Sequence, residues 1–260
     1  MQIWQAIVLG AVQGFTEFLP VSSSGHLILL QHWFGIEEGA LFYSVMLHIG
    51  TLIPVVIVLW KEIIVLFKKP FNKLFYLILA TIPAGVVGLL LHFTVDLDAL
   101  FAEKIYLVGI TFLLTAGELL FAEFYSKKKT LDNPIGVKNA LIMGAGQALG
   151  VLPGLSRSGT TITFGTISKT EKSENANFTF LMSIPIIIAA ALLEGYSCVK
   201  EGAGDISVLP LLIGVLTAAL CGYVAIKFML KIIKKANYKW FSLYLLLISA
   251  ATFITYSVGA

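Results

Sequence analysis

Residues 3–34 read IWQAIVLGAVQGFTEFLPVSSSGHLILLQHWF: apolar at both ends, interrupted in the middle by Glu17, Pro20, three serines, Gly25 and His26. A bilayer core takes about 20 apolar residues as one helix. A longer stretch broken at its midpoint by polar and helix-breaking residues reads as a re-entrant hairpin, two half-length helices joined by a turn at membrane depth. Residues 140–168 have the same form, and their middle is Leu152-Pro153-Gly154-Leu155-Ser156-Arg157-Ser158-Gly159-Thr160-Thr161. Outward from these hairpins, apolar runs suited to crossing lie at 43–60, 74–91, 105–125, 178–193, 207–226 and 240–258, the fourth slightly short. The chain therefore reads as an all-α polytopic membrane protein with six transmembrane helices and two re-entrant helical hairpins.

Composition excludes the other classes. The 260 residues are 58% hydrophobic and 13% charged, against roughly 25% charged in soluble domains, and the mean hydropathy is +0.90. The net charge of +3 arises from lysines grouped in short loops, which argues for membrane orientation and no nucleic-acid partner. Two cysteines, Cys198 and Cys221, are too few for a disulfide framework or a thiolate metal site. The amino terminus lacks a Lys/Arg start and carries Gln13 and Glu17 within its apolar stretch, so it is expected to stay in the mature fold rather than be cleaved.

Loop charge fixes the sidedness. Segments 61–73, 127–138, 169–177 and 227–239 hold 15 of the 18 basic residues, and such segments face the cytoplasm. The opposite loops carry Asp96, Asp98 and Glu103, then Glu201 and Asp205, with Glu37 and Glu38 after the first hairpin. Both termini then lie outside; the first hairpin enters from outside and the second from inside.

A shift of 134 residues superposes Ala6 on Ala140, Gly10 on Gly144, Ala11 on Ala145, Gln13 on Gln147, Ser22 on Ser156, Ser24 on Ser158 and Gly25 on Gly159. Each half, 1–126 and 135–260, holds one hairpin and three crossings. An odd number of crossings forces the halves into opposite orientations, the inverted repeat found in many transporters.

The chemistry lies in the two breaks. Arg157 is the only arginine and sits at membrane depth rather than in a basic loop, a placement costing at least about 2.5 kcal/mol on insertion scales. It calls for an anionic partner: Glu17, a phosphate, or each in turn, since a guanidinium forks onto phosphate oxygens as an ammonium does not. Ser156, Ser158 and Thr160 add neutral donors, and Gly159 lets backbone amides near a helix start approach an anion. The alternative use of serine and glycine is close helix packing. Glu17 lies four residues after Gln13, on the same helical face, and its carboxylate suits a hard divalent cation or a proton. His26, three residues after Ser23, is near enough to activate a hydroxyl nucleophile. Glu, Ser, His and Arg on two meeting hairpins supply what phosphoryl transfer needs: charge neutralisation, a nucleophile and a proton acceptor. His48 reads as a packing residue, Glu118 and Glu123 as structural carboxylates reaching Lys127 or water, Glu194 as interfacial, and Pro54, Pro83, Pro185 and Pro210 as tolerated kinks.

The motifs QGFTEFLPVSSSGH and PGLSRSGTT resemble the two signatures of the bacterial undecaprenyl-diphosphate phosphatase family associated with bacitracin resistance, and length and topology agree over the whole chain. The resemblance implies an enzyme of the bacterial plasma membrane that hydrolyses undecaprenyl diphosphate to the monophosphate carrier lipid for peptidoglycan synthesis and cell-wall biogenesis, requires Mg2+ or Ca2+, and forms a homodimer. By motif it implies Glu17 as the essential glutamate and metal ligand, Ser23 as nucleophile, His26 as its acid or base, and Arg157 as the diphosphate clamp; Ser23 is then assisted by His26 or Glu17, and attack by water activated by Glu17 would use nearly the same residues. Gln13, Ser22, Ser24, Gly25, Ser156, Ser158, Gly159 and Thr160 are then expected to bind the substrate head. Gln13 stands where some members carry glutamate, removing one potential metal-ligand charge. The first hairpin opens outward, so hydrolysis is expected at the external leaflet. A reading from another class is a transporter or flippase of an isoprenyl phosphate or other anion, which needs the arginine and serines but no nucleophile–base pair.

Overall fold

The computed structural model describes residues 1–36, 39–201, 207–233 and 237–259. Glu37, Glu38, Asp205, Lys234 and Lys235 lie outside the described residues, as do the side chains of Asp98, Glu194, Cys198 and Glu201. Among the described residues all regular structure is helical, apart from one isolated bridge between Asn133 and Thr170. The helices are α1 (Ile3–Phe18), α2 (Ser23–Phe34), α3 (Ala40–Val58), α4 (Trp60–Leu66), α5 (Asn72–Thr94), α6 (Leu97–Glu103), α7 (Tyr106–Lys128), α8 (Val137–Leu149), α9 (Arg157–Ile167), α10 (Lys172–Glu201), α11 (Val208–Ile233) and α12 (Lys239–Gly259).

Six are long and apolar enough to cross a membrane: α3, α5, α7, α10, α11 and α12. They coincide with the six apolar runs; α5 and α11 run several residues past theirs, and the fourth, α10, is extended most. Its helix begins at Lys172, because the polar residues ahead of the apolar run make tertiary bonds. Glu174 accepts the Ile135 amide at 2.8 Å, and Asn175 Nδ2 donates to the Ile162 carbonyl at 3.0 Å. Pro54, Pro83 and Pro185 lie inside helices. Phe75, Ile78, Ile82, Val86, Leu89 and Phe93 form a row on α5 that is at least half exposed, the face suited to lipid tails.

The two broken stretches fold as helix pairs, α1 with α2 and α8 with α9, each pair in mutual contact. In the first, α1 stops where Leu19 turns extended ahead of Pro20 (φ −77°, ψ 144°), as the residue before a proline prefers. Ser22 then takes φ 67° and caps α2, its hydroxyl accepting the Gly25 amide at 3.3 Å. In the second, Gly154 at φ +80° turns the chain where a Cβ would strike the Thr111 hydroxyl. Ser156 caps α9 by accepting the Gly159 amide at 3.1 Å. Serine at a helix start satisfies an amide the helix itself cannot, and here two serines 134 residues apart do the same work.

The pairs are seated by glycine. A Cβ at Gly10 on α1 would collide with the Gly214 carbonyl oxygen on α11, and one at Gly144 on α8 would approach the Ala80 carbonyl oxygen on α5 to 2.5 Å. Backbones this close need small residues. Elsewhere the buried carboxylate of Glu123 on α7 accepts the amides of Tyr238 (2.8 Å) and Lys239 (2.6 Å) at the start of α12 and pairs with Lys127 at 2.6 Å. Burial and that carboxylate hold the Tyr238 phenol protonated far above its ordinary range. Glu118 makes no such bond: its Oε2 is buried without a hydrogen-bond partner among the described residues.

Candidate active site

The tips of the two helix pairs interlock. The Gly154 amide donates to Ser24 Oγ at 3.3 Å, Ser158 Oγ donates to the Leu19 carbonyl at 3.1 Å, and a Cβ on Gly25 would come within 2.9 Å of the Gly154 Cα. Through this contact Glu17, at the end of α1, meets Arg157, at the start of α9, in a direct ion pair with Glu17 Oε1. The side chains are 2% and 19% exposed, so the charges are compensated mainly by each other. Glu17 Oε2 is surrounded too: Ser23 Oγ donates to it at 2.6 Å, Gln13 Nε2 donates at 3.0 Å, and His48 Nε2 stands 3.4 Å away.

A cavity of about 790 Å³ opens from this cluster. Its polar end is made by Glu17, Ser22, Ser23, Ser24, His48, Ser156, Arg157 and Ser158. Leu27, Ile28, Val45, Ile186 and Ile187 form apolar walls, and at the far side lie Asp96, Ala99, Ala102 and Glu103, on or beside α6. A site of this size suits a ligand with an anionic head and an apolar continuation.

The expected residues separate into two groups. Of the expected residues, Glu17, Ser22, Ser23, Ser24, Ser156, Arg157 and Ser158 line the cavity. Gln13 on α1, Gly25 and His26 on α2, and Gly159 and Thr160 on α9 are not among its lining residues. Thr160 Oγ1 spends its proton on backbone carbonyls of the preceding helical turn. His26 faces away from Ser23: its Nδ1 is 2.7 Å from the Ser22 carbonyl, its Nε2 is 2.7 Å from the Tyr244 hydroxyl, and its ring stacks on Tyr244. Ser23 meets Glu17 instead. His48, read from the sequence as packing, reaches the centre of the cluster. The available signal was its type, a titratable group inside an apolar crossing, but only the fold shows which carboxylate it faces.

The divalent cation implied by the motifs is a poor fit to Glu17 in this arrangement. Both oxygens face donors, two of them on arginine and histidine side chains, whereas a hard cation wants several free oxygen ligands. Among the described residues, no group of three or more His, Cys, Asp and Glu is placed to hold a metal ion.

Comparison with known proteins bears on the whole chain. The family model described as Bacitracin resistance protein BacA matches residues 6–251. The undecaprenyl-diphosphatase of Carboxydothermus hydrogenoformans is 40% identical over 263 residues, covering 100% of this chain and 99% of that protein. That of Bacteroides fragilis is 38% identical over 265 residues, 98% of each. Undecaprenyl-diphosphatase 4 of Bacillus cereus is 41% identical over 245 residues, 92% of each. With six crossing helices, two interlocked helix pairs and a family match running nearly end to end, this chain belongs to the bacitracin resistance protein BacA family of membrane proteins.

Proposed function

We propose that this protein is a membrane phosphatase that hydrolyses undecaprenyl diphosphate to undecaprenyl phosphate and inorganic phosphate, returning the carrier lipid to peptidoglycan and cell-wall synthesis. The observation that carries the reading is the 2.6 Å hydrogen bond from Ser23 Oγ to Glu17 Oε2, a nucleophile and base in contact at the polar end of a partly apolar cavity.

In the reaction we infer, Arg157 turns its guanidinium from Glu17 to the diphosphate, neutralising it as a forked donor. Ser23 Oγ attacks the terminal phosphorus while Glu17 takes the hydroxyl proton. The Oγ–phosphorus bond forms as the bond to the bridging oxygen breaks, and undecaprenyl phosphate leaves with the bridging electron pair. Water then attacks the phosphoserine, inorganic phosphate departs, and Ser23 regains a proton. Ser22, Ser24, Ser156 and Ser158 donate to the head group. His26, with both nitrogens engaged, holds the turn against Tyr244. A divalent cation would supply charge neutralisation at the head group; Glu17, with both oxygens facing donors, is a poor ligand for it.

The cavity reaches α6, next to Asp96 and opposite the lysine-rich loops, which supports an external active site in the plasma membrane. The matched serine caps and glycine seats support an inverted repeat of 1–126 and 135–260. A homodimer is carried by the family resemblance alone. A transporter needs no contact between Ser23 and Glu17, and that contact favours the phosphatase.

The test is phosphate release from a long-chain prenyl diphosphate by detergent-purified protein, in Mg2+ or Ca2+ and then in excess chelator. Release is expected in cation, and Ser23→Ala is expected to lower it by about 1,000-fold or more. No release from well-folded wild-type protein, with the diphosphate still bound, overturns the reading in favour of transport.

A further inference from the structure

Two imidazoles stand near the interlocked tips, and the structure gives them different work. Both nitrogens of His26 are spent on the Ser22 carbonyl and the Tyr244 hydroxyl, and its ring is buried outside the cavity. His48, on α3, lines the cavity, and its side chain is 22% exposed. Its Nδ1 is 2.7 Å from the Ser44 carbonyl, which only accepts, so that nitrogen carries a proton. Its Nε2 faces Glu17 Oε2 at 3.4 Å, the separation of an ion pair when the ring is protonated.

Oε2 is the same oxygen that receives the Ser23 hydroxyl. The terminal torsion of a glutamate is soft, so a carboxylate used as a base needs donors to set its plane. Arg157 holds Oε1 from α9, and Gln13 approaches Oε2 from Glu17's own helix. His48 reaches Oε2 from a third element, a crossing helix, and from the cavity side.

We propose that His48 is a positioning residue for the reaction: its imidazole, facing Oε2 of Glu17 through Nε2, holds that oxygen in line with Ser23 Oγ, so that the base is aimed before the diphosphate arrives. The inference rests on the phosphatase reading and adds a residue that the two hairpin motifs do not contain.

The experiment measures kcat and KM for phosphate release from a prenyl diphosphate by wild type, His48→Leu and His48→Gln, each checked for monodispersity and melting temperature. His48→Leu, which keeps bulk but has no donor, is expected to lower kcat by about 100-fold with KM within about threefold. His48→Gln, whose amide N–H ends near the position of Nε2, is expected to recover most of the lost kcat. Should His48→Leu fail to fold, His48→Met takes its place as the donor-free variant. Wild-type kcat in the donor-free variant overturns the proposal, and so does an equal loss in donor-free and glutamine variants. Phosphate release absent from the wild type itself overturns the phosphatase reading and this inference together, an outcome distinct from an active wild type with an indifferent His48.

Discussion

Arg157 sits where a point charge of the same sign would not serve as well. In the substrate-free site it pairs with Glu17, and in the proposed reaction the same guanidinium must span two phosphate oxygens. Arg157→Lys keeps the charge and loses the fork, so kcat/KM for phosphate release is expected to fall by about 100-fold, with the melting temperature changing little compared with Arg157→Ala. A lysine variant with wild-type kcat/KM would leave the forked contact without a role. The arginine was legible in the sequence because one guanidinium in an apolar stretch has few inexpensive explanations. Glu17 and Ser23 were legible for the same reason, being polar groups at membrane depth. The partner of Ser23 was left open between His26 and Glu17. Proximity along the chain points from Ser23 to His26, but at the start of α2 the His26 ring turns back to the Ser22 carbonyl and out to Tyr244. Glu17, six residues upstream across a turn, comes within 2.6 Å of the serine hydroxyl instead. His48 lies farther still along the chain, and nothing in local spacing connects it to Glu17.

At the scale of elements, hydropathy predicted the six crossings because a helix in lipid must be apolar over most of its length. It shortened α10 because polar residues at 172–177 carry no hydropathy signal, and their bonds to the 133–135 segment and to α9 are tertiary. The short helices α4 and α6 were also invisible, lying inside segments whose charge was their most prominent feature. α12 has an unusual beginning, its first amides bonded to Glu123 of α7 rather than to a local cap. Glu123→Ala is expected to destabilise the protein by about 2 kcal/mol, read as a lower melting temperature in detergent. Phosphate release at low temperature should stay close to wild type, since the carboxylate lies away from the cavity. Unchanged melting would mean that water caps α12 equally well.

For the molecule as a whole, the proposal of an external cavity rests on loop charge and the position of α6. In a background with Cys198 and Cys221 replaced by serine, Ala99→Cys is expected to react with a membrane-impermeant maleimide on intact cells. Lys128→Cys should react only after permeabilisation. The opposite labelling pattern would turn the protein over and move hydrolysis to the inner leaflet. The repeat was legible in its hairpins, where seven identities fall within twenty positions, and fainter in the crossings, where lipid accepts almost any apolar side chain.

The glycine seats carry a consequence for the order of synthesis. α1 closes on α11 through Gly10 and Gly214, and α8 closes on α5 through Gly144 and Ala80. The second contact joins segments made within one span of each other, and can form while the ribosome is still working. The first joins the opening helix of the chain to the last crossing but one. Until α9 emerges the newborn first hairpin has an unpaired charged tip, and until α11 emerges it keeps a bare glycine face. The Glu17 carboxylate lacks its Arg157 partner until 140 further residues have been made. A nascent chain arrested before its final two crossings is therefore the species that quality-control proteases and insertion factors have most reason to recognise.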